Sequence, residues 1–133
     1  MWESFYEQFI VYDGYKLVLQ GLMNTMIIAL VGLVIGIVIG TIVAVIHVAG
    51  TRSRVARVFA YIGDLYTTIF RGTPILVQLL VFHFVIVPLM RLNIPGVWES
   101  VLVFGLNSGA YVAEIMRGGI LSVEVGQLEA GRT

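Results

Sequence analysis

The chain has 133 residues, 59% of them hydrophobic and only 12% charged, where an ordinary soluble domain carries charge on about a quarter of its residues. Eight basic and eight acidic side chains cancel to a formal charge of zero, too few and too scattered for a nucleic-acid surface. With no cysteine there is no disulfide, thiolate metal site or cysteine nucleophile. This size and composition fit one all-α bundle of a few membrane-spanning helices.

The leader "MWESFYEQFIVYDGYK" sets Glu3, Glu7 and Asp13 against Lys16, the wrong sign for the charged start of a signal peptide. It reads as a retained segment on the outer face. Trp2, Phe5, Tyr6, Tyr12 and Tyr15 supply an aromatic interfacial belt. A first span is expected over 17–48, since no Asp, Glu, Lys or Arg occurs from Leu17 to Thr51. Its 15 Ile, Leu and Val residues between Met26 and Val48 favour insertion by roughly 5 to 9 kcal/mol. Gly32, Gly36 and Gly40 repeat every four residues and predict close packing on another helix, in this chain or in a second copy.

The loop "AGTRSRVAR" brings Arg52, Arg54 and Arg57 next to a membrane edge, which makes it cytoplasmic and leaves the N-terminus outside. A second span is expected over 57–90. Its apolar part runs from Pro74 to Met90 and follows a helical stretch near 55–70, together too long for one straight crossing. In "FRGTPILVQLL" the sequence suggests Thr73 as an N-cap and Pro74 as the first helical residue, with Arg71 near the inner leaflet boundary. An interfacial anchor beside a proline kink is the other reading. If helix continued through the break, Asp64, Arg71 and Gln78 would share one face. Asn93, Pro95 and Gly96 mark the outer turn, beside Trp98.

A third span is expected over 97–120. Asn107, Tyr111, Glu114 and Gly118 fall within a sector of about 60° on a helix, and a carboxylate there favours the bundle interior or a water-filled cavity. Arg117 stands three residues after Glu114, in the order that suits a helical ion pair; a purely structural pair near the inner headgroups is the alternative. His47 and His83 have no carboxylate at ligand spacing, so no metal site is expected. The chain contains no P-loop sequence, and no nucleophile, base and orienting group converge, so no catalytic residue is assigned.

Three stretches, "FRGTPILVQLL", "LNSGAYVAEIMRGGI" and "EVGQLEAGRT", occur in an order that resembles the permease subunits of bacterial ABC importers for polar amino acids, the histidine and glutamine type. The resemblance covers the chain from about Leu17 onward. It implies a polytopic transmembrane bundle in which about three of an expected five spans are present. Residues 121–133 would open the cytoplasmic coupling loop, and Gly126, Gln127, Glu129, Ala130 and Gly131 would dock on an ATPase. It also implies a bacterial inner-membrane location and a second permease subunit, identical or homologous. Separate ATPase subunits would bind the ATP, leaving this chain without a cofactor, and an external binding protein would deliver the amino acid. Asn107, Tyr111 and Glu114 would then line the substrate pathway, with Glu114 meeting the ammonium, while Arg71, Pro74, Gln78 and Arg117 hold the structure. The sequence departs from the pattern in stopping at Thr133, as a fragment would, and in "VFHFVIVP", which lacks a tyrosine-phenylalanine pair and a glycine. The alternatives are a small three-span structural or assembly protein and a permease for methionine or another substrate.

Overall fold

The computed structural model describes residues 1–50, 53–123 and 130–131, and all regular structure among the described residues is helical. A short helix, α1 (Trp2–Tyr6), continues as a π-helical turn over Glu7–Val11. Asp13 then takes a left-handed conformation, φ 56°, and turns the chain into α2 (Gly14–Ala49).

The 36 residues of α2 extend about 54 Å, well beyond the roughly 30 Å of a hydrocarbon core. Its aliphatic side chains surround the axis, and Thr25 and Thr41 return their hydroxyls to the carbonyls of Gly21 and Ile37 one turn back. That bond hides the hydroxyl inside the helix's own polar surface. Only Gly32, Gly36, Gly40 and Ala44 are buried, and they face α6 (Gly96–Leu121). A methyl on Gly36 would lie 2.5 Å from Cβ of Ser108, and one on Gly40 2.6 Å from Cβ of Val112. The glycine stripe therefore packs within the chain, letting two backbones approach where larger side chains would hold them apart. Gly32 meets Phe104, Gly36 meets Ser108 and Gly40 meets Val112; both series rise together, so α2 and α6 run parallel.

The return path is α3 (Arg54–Gly72), then α4 (Ile75–Val81), a π-helical turn over Phe82–Ile86, and α5 (Val87–Leu89). Ser53 caps α3, its hydroxyl accepting the Ala56 N–H at 3.1 Å. Tyr66 ties α3 to α6 by donating its hydroxyl to the Leu106 carbonyl, in space left by Gly109. Between α3 and α5 the chain bends by 108°. The stretch 57–90 is thus two arms joined at a bend. Thr73 is extended, φ −116° and ψ 145°, because the ring of Pro74 excludes the helical conformation from the residue before it. Helix does not continue through the break, so the seven-residue spacing of Asp64, Arg71 and Gln78 defines no common face.

After α5, Leu92 N–H bonds to the Val87 carbonyl and Arg91 N–H to the Pro88 carbonyl, with Arg91 left-handed at φ 54°. That is the Schellman arrangement. It closes the helix ahead of the turn residues Asn93, Pro95 and Gly96. Among the described residues, α2 is by length and composition the one helix sufficient by itself to cross a membrane, and α3 with α4–α5 is sufficient as a bent pair.

Candidate functional site at the helix break

A helix that stops leaves its last carbonyls without intrahelical donors. Where water is absent those groups must find other partners. At the C-terminus of α3 the partners come from two side chains. Gln78 donates through Nε2 to the carbonyls of Phe70 at 2.9 Å and Thr73 at 3.1 Å, and to the Thr73 hydroxyl at 2.9 Å. Asn107 donates to the Gln78 amide oxygen at 3.2 Å and, at 3.5 Å, to the Phe70 carbonyl. The Thr73 hydroxyl itself donates back to Ile69 at 2.8 Å. Thr73 is the C-cap of α3 and Pro74 the N-cap of α4, so α4 begins one residue later than the sequence suggested.

Asn107 is in the middle of α6, beside the glycine seam with α2, so the break meets α6 at mid-length. The cause is α3, which packs up along α2 and α6: Gly50 lies against Ala60 and Gly63 against Val43.

From the break a line of charged groups descends toward the C-terminal ends of α2 and α6. Arg71 reaches Glu114 at 3.5 Å, and its guanidinium lies 5.8 Å from the Tyr111 ring centre. Arg117 contacts the same Glu114 oxygen at 3.3 Å and approaches His47 Nε2 at 3.1 Å. An arginine N–H can only donate, so Nε2 is the acceptor and the imidazole proton belongs on Nδ1. That nitrogen lies 2.8 Å from Asp64 Oδ1, within ion-pair distance but off the line of a hydrogen bond. Glu114 is half-buried between two cations, and three helices contribute to one network.

Of the residues singled out in the sequence, Asn107 and Gln78 meet directly, as do Arg71, Glu114, Arg117 and Tyr111. Gly118 is open to its surroundings, with no atom within 4 Å of where a Cβ would stand. Gly126, Gln127 and Glu129 lie outside the described residues; Ala130 and Gly131 are exposed. A cavity of about 300 Å³ beside the break is lined by Phe70, Val77, Val103 and Leu106 with Thr73 and Gln78 as its polar edge. Its lining includes none of Asn107, Tyr111 and Glu114.

Both histidines have carboxylate partners that sequence spacing did not reveal. Besides His47 with Asp64, His83 Nδ1 lies 2.6 Å from Glu99, which is buried in the first turn of α6. The pairs are 17 and 16 residues apart in sequence and form only when separate helices pack, so no local signal announces them. No group of three metal-ligating side chains occurs among the described residues.

Comparison with known proteins follows the whole of this bundle. The chain is 38% identical to the putative glutamine transport system permease protein GlnP of Rickettsia prowazekii over 119 residues, 90% of this chain and 52% of the relative. It is 45% identical to the arginine transport system permease protein ArtQ of Bacillus subtilis over 74 residues, 56% of this chain and 34% of that one. A crystal structure of an amino acid ABC transporter with histidines superposes with a TM-score of 0.75 at 33% identity, over 92% of this chain and 54% of the other. In sequence and in fold the chain is similar to the permease proteins of amino-acid ABC transporters. No protein-family model matches it. The chain spans about half the length, or less, of these relatives, and its fold is the all-α fold of that amino acid ABC transporter.

Proposed function

We propose that this chain forms part of the permease subunit of an ATP-driven importer that moves polar amino acids across a bacterial inner membrane by alternating access. In this reading α2, the bent unit of α3 to α5, and α6 are three crossings, with the N-terminus outside. The parallel course of α2 and α6 supports an odd number of crossings from the first to the last of them. Segment 121–133 opens a cytoplasmic loop that docks on a separate ATPase subunit, and Gly126, Gln127, Glu129, Ala130 and Gly131 form the start of that surface. A second permease subunit completes the pathway, and a binding protein supplies the amino acid from outside.

The observation that carries the reading is the helix broken at mid-length beside Asn107, Tyr111 and Glu114. Transporters place substrate sites at discontinuous helices near mid-depth, where irregular backbone is tolerated because it lines a cavity. A zwitterion needs partners of both signs when it leaves water. Glu114 is the anionic partner for the ammonium, Asn107 offers an amide, and Tyr111 offers a ring and a hydroxyl. In this structure Glu114 is held by Arg71 and Arg117, and the 3.5 Å contact to Arg71 is the longer of the two. Substrate arrival would exchange that internal pair for the zwitterion's own charges.

The test is uptake of labelled glutamine, arginine and histidine by proteoliposomes holding the full-length permease, its ATPase and its binding protein. ATP-dependent accumulation of a polar amino acid is expected, and Glu114→Gln is expected to impair it while leaving assembly intact. No accumulation of any polar amino acid by the assembled complex would overturn the importer reading. Full uptake by the variant would remove Glu114 from the pathway.

A further inference from the structure

The N-terminal arm is not explained by transport. Trp2, Phe5 and Phe9 stack along one side of the arm, and Trp2 and Tyr6 also border a groove with Glu3, Glu7 and Val11. The rings form a ladder. Trp2 and Phe5 stack at 5.9 Å, Phe5 and Phe9 at 5.4 Å, and Phe9 meets Tyr15 of α2 at 6.5 Å. Despite these contacts the face is uncovered, Trp2 being 76% exposed and Tyr12 74%. A groove of about 610 Å³ between the arm and α2 is lined by Phe5, Phe9, Tyr12, Leu17 and Val18.

The elbow that joins the arm to α2 is built tightly. A side chain on Gly14 would collide with the Gln8 carbonyl and lie 3.0 Å from Cα of Phe9. Lys16 contacts Asp13 at 3.4 Å and lies 5.9 Å from the Tyr15 ring centre, which places a paired charge at the corner. Beyond the corner the exposed aromatic face continues directly into Leu17, Val18 and Leu22, the exposed aliphatic surface of the membrane-crossing helix.

Helix α2 has its own difficulty. It is longer than the hydrocarbon core is thick and carries no Asp, Glu, Lys or Arg after Lys16, so its composition does not fix which part occupies the core. We infer that the Trp2–Val11 arm lies in the plane of the membrane–water interface, aromatic face toward lipid, and sets the depth at which α2 crosses. Aromatic rings favour the headgroup level, and an amphipathic helix lying there buries its apolar face about 5–10 Å into the boundary. Since the arm is acidic, its partner is the apolar boundary of a zwitterionic lipid surface, with no requirement for anionic headgroups. The inference rests only on α2 crossing the membrane.

The experiment uses the full-length permease in phosphatidylcholine vesicles, with Trp2 emission isolated as the difference between the native protein and Trp2→Phe. Blue-shifted emission is expected, insensitive to salt, and quenched about twofold more by lipids brominated near the glycerol end of the acyl chain than by lipids brominated at its middle, as the shallow depth requires. Emission of a water-exposed indole quenched by aqueous iodide, or stronger quenching by mid-chain bromines, would overturn the placement. So would protection of Trp2 that appears only when the binding protein is added, which would assign the face to a protein partner. For depth control, Leu33→Trp reports the position of α2, again as a difference from the protein without it. Gly14→Val, and separately Phe5→Ser with Phe9→Ser, are expected to shift that residue's quenching profile; an unchanged profile in both would refute the anchoring role. Neither readout requires transport, so this inference and the importer reading fail separately.

Discussion

The seam between α2 and α6 makes the sharpest quantitative demand on the structure. In Gly36→Ala the new methyl would stand 2.5 Å from Cβ of Ser108 and 3.1 Å from the Gly109 nitrogen. Carbon atoms are most favourable at about 3.5–4.0 Å, so the two backbones must part by about 1 Å. Overpacking of this kind costs about 1–3 kcal/mol, while replacing a helical glycine by alanine returns about 0.5–1 kcal/mol through the backbone. A net loss of about 1–2 kcal/mol is expected, near tenfold in the folding equilibrium. Gly21→Ala is the control, because nothing lies within 4 Å of a methyl there; it should be neutral or stabilising by up to about 1 kcal/mol. The assay is reversible unfolding of the full-length permease in mixed detergent micelles, with both variants compared at one protein concentration. Adding Ser108→Gly to Gly36→Ala removes the closest neighbour and should recover about half of the loss, a coupling that contacting residues show and distant ones do not. If Gly36→Ala proves as stable as Gly21→Ala, the backbones do not approach at this seam, and the parallel register of α2 and α6 falls with it.

Gln78→Leu keeps the bulk of the side chain but strips the Phe70 and Thr73 carbonyls of their donor, so a loss of about 1–3 kcal/mol in the same unfolding assay is expected; Gln78→Glu, which keeps the shape without the donor, should be at least as damaging. Gly109→Ala forces a methyl against the Tyr66 hydroxyl at 2.7 Å, and combining it with Tyr66→Phe should lose less than the two changes add up to separately, as a double-mutant cycle would show. Arg91→Gly relieves a left-handed non-glycine residue, φ 54°, and should raise stability by about 0.5–1 kcal/mol. His83→Ala leaves Glu99 buried without its partner and should lower the thermal midpoint, whereas adding Glu99→Gln to it should restore part of the loss.

What the sequence made legible were features carried by one helix at a time. The absence of charge from Leu17 to Thr51 marked α2, the four-residue repeat of Gly32, Gly36 and Gly40 marked its packing face, and the four-three-four steps of Asn107, Tyr111, Glu114 and Gly118 marked one side of α6. Each of these follows from the 3.6-residue period alone. Features that need two helices in register were not legible. Whether Gly36 would meet a neighbouring chain or Ser108, and whether His47 had a carboxylate, depend on how far α3 climbs along α2. The partners of the break were hidden for the same reason. Arg71 and Pro74 read as edge residues because a charge and a helix breaker are least costly at an edge, and nothing local to "RGTP" reveals that Gln78 and Asn107 stand ready to satisfy the freed carbonyls.

Those partners bear on what the break is for. A helix interrupted at mid-length exposes carbonyls whose desolvation is costly unless donors are supplied, and the chain spends two amide side chains on supplying them. A straight helix would need neither. Gln78 and Asn107 also belong to different elements, α4 and α6, so the bonds that cap α3 lock three elements together at the break. Arg71, on the last turn of α3, links the break to Glu114, and Arg117 links Glu114 to His47. A change in the bend at Thr73 therefore cannot leave the charge network unchanged, because Arg71 belongs to both.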